Sequence, residues 1–199
     1  MRHNVGLLLA IFLCAPSVFS QRNDAYFKPT IAWVSLEEAK QMDPDDVYHL
    51  KLKKNKSNTL PEEIFQFKNL RSLSVSGMKL DSLPEEIATF KKLEFIDFSK
   101  NNIETLPLTF CELKSLEIIV ANQNPLAYLP YCLGNLINLV AIDLWDTEVS
   151  TLPESLEDVK SLKVVDFQGI ELRQEEQDFL KKRFPDVKFR FDKPCNCFK

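Results

Sequence analysis

Side chains able to do chemistry are sparse in this chain. It carries two histidines, His3 and His49. A catalytic triad or a multi-histidine zinc site needs imidazole held beside further ligands or a nucleophile. His49 has no histidine partner nearby in sequence, so it reads as a surface residue of a strand and not as a base. The acidic pairs Glu62-Glu63 and Glu85-Glu86 each follow a Leu-Pro step. That position makes them solvated turn charges, unlike the opposed carboxylates of general acid–base catalysis. Asp143 and Asp146 around Trp145 are the nearest approach to carboxylates beside an aromatic platform, the pattern a carbohydrate site needs. With only four glycines, and neither GxGxxG nor GxxxxGK[ST], the chain has little material for a phosphate cradle. No catalytic residue, cofactor-binding residue or cofactor is predicted, and no metal site. Cys195-Asn196-Cys197 lacks the two further ligands that a metal would need.

The chain of 199 residues has room for one domain or one short repeat array. Its 45% apolar and 27% charged residues are globular proportions, and a net charge of -4 gives no electrostatic reason to bind nucleic acid. Residues 1–20 are a secretory leader in pattern: Arg2 and His3, an apolar run from Val5 to Ala15, Pro16, and Val18-Phe19-Ser20. The run is too short to span a bilayer, so no transmembrane segment is expected. Cleavage after Ser20 predicts export, to the medium, a periplasm or the cell envelope. The alternative is a lipoprotein anchored at Cys14, against which Leu13 stands where a small residue is wanted.

The elements are set by a period. Leu-Pro recurs at Leu60, Leu83, Leu106, Leu129 and Leu152, in ungapped steps of 23 residues. A fixed period of this size is the mark of a solenoid, in which no single repeat buries its apolar set and stacking makes the core. Repeats written from Val47, Leu70, Leu93, Leu116, Leu139 and Leu162 align apolar columns at positions four, six, eleven and eighteen. The fourth, for example, reads Leu50, Leu73, Ile96, Ile119, Ile142 and Val165.

At these residues the sequence resembles the leucine-rich repeat family, pattern LxxLxLxxNxL, in its 23-residue subclass continuing LPxxIxxLxx, of an exported, bacterial-looking kind. "LRSLSVSGMKLDSLPEEIATFKK" from Leu70 and "LEFIDFSKNNIETLPLTFCELKS" from Leu93 are close matches. The resemblance implies an α/β solenoid: a short right-handed arc with a parallel sheet on its concave face and 3₁₀ or extended segments on its convex face. It also implies an asparagine ladder in the ninth column. Asn55, Asn101 and Asn124 keep it, whereas Met78, Thr147 and Ile170 do not, so local irregularity is expected at the second and last repeats. Turned inward, Asn55 would leave its sequon silent.

Flanking segments read as caps. Residues 21–46 form an N-terminal cap, with a helix opened by the Ser35/Glu38 capping box and running to about Met42. Tyr26, Phe27, Ile31 and Trp33 are expected to cover the open face of the first repeat. Six repeats fill 47–184, the last divergent, with a polar helix over Arg173–Arg183 using Phe179, Leu180 and Phe184. Residues 185–199 hold a closing strand and a cysteine-containing tail. Cys111 and Cys132 fall at columns nineteen and seventeen of adjacent repeats. A convex bridge is geometrically open to them, and two buried free thiols are the simpler expectation.

A face for function follows from alternation. Strand columns three, five, seven and eight point away from the core. They make the first strand basic through Lys51, Lys53 and Lys54, the middle apolar, and the far side acidic. The candidate binding residues are Phe95, Asp97, Ile118, Val120, Asp143, Trp145 and Asp146. Solvent-facing aromatic and aliphatic groups within a charged rim suit a protein interface, unless they are plain strand formers or lie under a terminus. The expected function is therefore a non-enzymatic, monomeric module binding a protein or peptide on its concave face. An envelope structural or adhesive protein is the first alternative, and a carbohydrate-binding protein the second.

Overall fold

Alternation within each LxL triplet sends the central side chain to one side and its neighbours to the other. A computed structural model of the chain describes residues 27, 30–54 and 57–194. It places β1 at His49–Lys51, β2 at Ser72–Ser74, β3 at Phe95–Asp97 and β4 at Ile118–Val120. Beyond them come β5 at Ala141–Asp143, β6 at Val164–Asp166 and β7 at Lys188–Arg190. All seven pair in parallel in chain order. Each step from β1 to β6 preserves the period, as in His49↔Ser72 and Phe95↔Ile118. The first apolar residue of each triplet, which is the middle residue of its strand, is fully buried in β2 to β5: Leu73, Ile96, Ile119 and Ile142.

Proline fixes the convex side. Pro61, Pro84, Pro107, Pro130 and Pro153, all with φ between -62 and -75°, each precede a five-residue 3₁₀ turn. In the sixth repeat Glu175-Glu176 stand in place of Leu-Pro, and the segment instead winds into α2, Gln174–Arg183. This helix changes the phase of the side chains. At 3.6 residues per turn Gln177, Leu180 and Phe184 share the buried stripe, while Phe179, expected inside, is 54% exposed beneath Arg183. At the other end α1 spans Leu36–Ala39, and Ser35 and Glu38 form the reciprocal capping box.

The eighth column turns out to be the left-handed position of every described strand-to-turn junction from the second repeat on. Gly77, Lys100, Gln123, Asp146 and Gly169 all have φ between 54 and 76°. Only two of the five are glycine, so non-glycine residues carry about 1 kcal/mol of backbone strain each at the rest.

Asn101 and Asn124 make the expected ladder. The Asn101 side chain accepts from Leu80 N–H at 3.0 Å and donates to the carbonyls of Phe98 at 2.7 Å and Val75 at 3.0 Å. Asn124 repeats the set one turn on, accepting from Ile103 N–H. Thr147 donates to Leu144 O at 2.8 Å and reaches no neighbouring repeat. Thr147→Asn is therefore expected to raise the unfolding free energy by ~1 kcal/mol, because the amide adds the missing inter-repeat bonds. A guanidinium melt that shows no gain would mean the ladder ends at Asn124 for another reason. The irregularity expected at Met78 is absent from the sheet. Its thioether is fully buried, filling the core where the amide is missing, and β2 pairs in register on both sides. Asn55, Tyr26, Cys195, Cys197 and the whole leader with Cys14 lie outside the described residues.

Candidate functional site

The concave wall is largely covered. Phe95, Val120, Ala141 and Val164, one from each of β3 to β6, are at most 5% exposed, and Ile118 is half-buried beside them. The cover is the N-terminal segment. Trp33 packs against Phe95 with ring centroids 6.1 Å apart, and Phe27, itself buried, lies under the Arg190 guanidinium at 5.7 Å. This corrects two expectations. Phe95 and Val120 do not face solvent, and Phe27 and Trp33 cross the sheet instead of capping the first repeat. That end is closed by Val34, bonded to the outer edge of β1 through Val34 N–H to His49 O and Lys51 N–H to Val34 O, both 2.9 Å. The reason is burial: four apolar side chains on the solvent side of a sheet are worth several kcal/mol to whatever segment covers them.

The acidic rim is also not what the columns suggest. Asp97, Asp143 and Asp166 each accept the backbone N–H two residues on, from Ser99, Trp145 and Gln168, at 3.0 Å. The remaining oxygens take Ser74 Oγ at 3.0 Å, Asn122 Nδ2 at 2.6 Å and Arg190 Nη1 at 3.1 Å in turn. These carboxylates fix the strand exits and are already satisfied. A recurring Asp in the fifth column was the sequence signal for this role.

Burial pushes the Asp143 carboxyl up to about 6, helped by Asp166 and opposed by Asn122, the Trp145 N–H and Arg190. A folded-state value above the unfolded one gives a contribution complete below about pH 4 and lost as pH rises to about 6. Above that the folded state carries an ionised, desolvated carboxylate at a cost of up to ~3 kcal/mol. Asp143→Asn is expected to stabilise the protein by ~2 kcal/mol at pH 7.5 and by nothing near pH 4. Paired thermal melts at the two pH values check it, and equal midpoints at pH 7.5 would overturn it.

Trp145 remains open. Its residue is 41% exposed, and Asp146 beside it is exposed as well. The indole lies close against Gly169: a Cβ there would sit 3.1 Å from Trp145 Nε1 and 3.0 Å from Asp146 N. Of the seven predicted binding residues, then, Trp145 and Asp146 are presented and Asp97 and Ile118 are partly accessible. Phe95, Val120 and Asp143 are buried.

His49 Nδ1 lies 3.1 Å from Ser72 Oγ, and burial holds its pKa below the ordinary value, with Glu94 opposing and Arg71 assisting. Among the described residues no group of three His, Cys, Asp or Glu could hold a metal ion. Cys111 and Cys132 are joined as a disulfide between adjacent convex turns, in place of the free thiols expected as the simpler state. Around it the columns missed a second apolar surface. Leu108 and Tyr131, 73% and 70% exposed, stand where the other turns have Glu62, Glu85 and Glu154.

A family model described as a leucine-rich repeat region matches residues 46–184. The chain belongs to the leucine-rich repeat family. No curated protein matches this sequence. Among solved structures, this leucine-rich repeat chain is similar to a leucine-rich repeat protein of Leptospira interrogans. Identity is 26% and TM-score 0.59, over 80% of this chain and 47% of that one. It also shares the fold of internalin C2 from Listeria monocytogenes, at 16% identity and TM-score 0.60, over 79% of this chain and 66% of that one. The chain thus spans about half the length of the Leptospira protein. Leucine-rich repeats are typically protein–protein interaction modules and generally not enzymes. Among the described residues no helix is long and apolar enough to cross a membrane.

Proposed function

We propose that this leucine-rich repeat chain is a non-enzymatic module that binds a protein or peptide on its concave side, with Trp145 as the anchor. The exposed indole, seated on Gly169 and flanked by Asp146, carries the reading. A large aromatic held rigid at a partly polar site is the kind of residue on which interfaces concentrate affinity. The Cys111–Cys132 disulfide agrees with the leader in favouring an oxidising compartment outside the cytoplasm.

The test is retention of proteins by the immobilised chain from residue 21, followed by titration of each retained protein. Trp145→Ala is expected to weaken the specific partner about thirtyfold, the scale of a hot-spot aromatic. Tyr131→Ala on the convex side is expected to leave it unchanged. The reverse pattern would move the binding surface to the convex turns and end this reading.

A further inference from the structure

The cover on the concave sheet is held differently from everything beneath it. From β1 to β7 the main chain is tied strand to strand. Among the described residues, no main-chain hydrogen bond joins 30–33 to the sheet, and the first lies at Val34. Its described contacts are Trp33 on Phe95, Phe27 within the strip of Phe95, Val120, Ala141 and Val164, and the Arg190 guanidinium over the Phe27 ring. Two aromatic side chains therefore anchor the described part of this segment, and lifting residues 30–33 breaks no main-chain bond between described residues and leaves the repeat core intact. Such units open locally, ahead of global unfolding.

The strip below is not the surface of a sheet built to stay bare. Its apolar side chains run in register across β3 to β6, along pairs that include Phe95↔Ile118 and Ala141↔Val164. It is bounded by serine on one side, Ser72 and Ser74 of β2, and by Arg190 of β7 on the other. We infer that this strip is a peptide groove occupied by the chain's own N-terminal segment. A partner enters it by displacing that segment with an extended stretch bearing two aromatic side chains at a similar spacing, as Phe27 and Trp33 have. The inference rests on the concave reading above and adds the class of ligand and the device that controls access. With its own segment in place, the chain binds such a ligand more weakly by the fraction of time the groove is open.

The experiment uses the whole chain and, as probe, a fluorescein-labelled peptide of residues 27–34, with a control in which its two aromatics, Phe27 and Trp33, are serine. Anisotropy titrations compare the wild-type chain with Phe27→Ser/Trp33→Ser. At least tenfold tighter binding of the aromatic peptide to the double variant than to wild type is expected, and tenfold selectivity over the serine peptide. Equal affinity of the two chains, or of the two peptides, overturns the groove. Circular dichroism shows whether the double variant is folded. If it is not, the same comparison is made on Phe27→Ser alone, which leaves Trp33 on Phe95, and no gain there overturns the inference equally. Partner binding that depends on Trp145 while peptide exchange fails would remove the groove alone. Peptide exchange without a Trp145-dependent partner would remove the anchor alone.

Discussion

Asn101→Ala is expected to lower the stability of the chain by ~3–5 kcal/mol, among the largest effects of any single side chain here. The amide sits at 5% exposure between two repeats. Its loss orphans the Leu80 N–H, on a residue that is itself 1% exposed. It also removes the donor shared by the Val75, Phe98 and Ser99 carbonyls. A buried donor without a partner costs ~1–3 kcal/mol, and the methyl cannot admit enough water to replace four bonds. Asn102→Ala is the internal control. Asn102 is exposed, its amide makes one 3.3 Å contact with Asp81, and the change is expected to cost under ~0.5 kcal/mol. Guanidinium midpoints read by circular dichroism decide between them. Equal losses at the two adjacent asparagines would mean the ladder is not what holds these repeats in register.

Gly134→Asn is expected to cost ~3 kcal/mol, while the same change at Gly77 costs ~1 kcal/mol or less. The two glycines are present for different reasons. Gly77 has φ +71°, with nothing within 4 Å of the place a Cβ would take, and asparagine tolerates that backbone. Gly134 has ordinary backbone but no room. A Cβ there would lie 2.4 Å from Ser155 O and 2.6 Å from Ser155 Cβ. At this point the turns Tyr131–Asn135 and Glu154–Asp158 touch, and the Ser155 hydroxyl joins them by accepting from Gly134 N–H at 3.3 Å and donating to Tyr131 O. Any side chain must push the turns apart and break that link. Differential scanning calorimetry of the two variants separates the causes, and a Gly134 variant as stable as the Gly77 one would show the turns free to spread.

The nineteenth column makes the same point from the other side. It reads Phe65, Ala88, Cys111, Gly134 and Glu157, and the convex turns space themselves accordingly. Phe65 stacks on Phe90 with centroids 5.6 Å apart, beside an open cleft of about 830 Å³ between the first two turns. Cys111 permits the bridge to Cys132, and Gly134 permits contact. A period states which residues are equivalent, so strands, turns and the Asn101/Asn124 ladder were readable from one repeat to the next. It does not state where a segment outside the period comes to rest. The fate of Phe27 and Trp33 was hidden for that reason, and with it the burial of Phe95 and Val120. Phe179 was misplaced by a related limit, because its column holds only while the backbone keeps the 3₁₀ phase. The aspartates of the fifth column were visible as a repeat, but charge alone suggested a rim where local hydrogen bonding had already spent it.

A covered strip beside an open tryptophan is the arrangement on which the functional reading depends, and nuclear Overhauser contacts in the labelled chain observe both. Cross-peaks between the Trp33 indole and the Phe95 ring, and between the Phe27 ring and the Arg190 side chain, are the expected result, with the Trp145 indole accessible to a soluble paramagnetic agent. Missing contacts from Phe27 and Trp33, with Phe95 relaxed by the agent as strongly as Trp145, would contradict it.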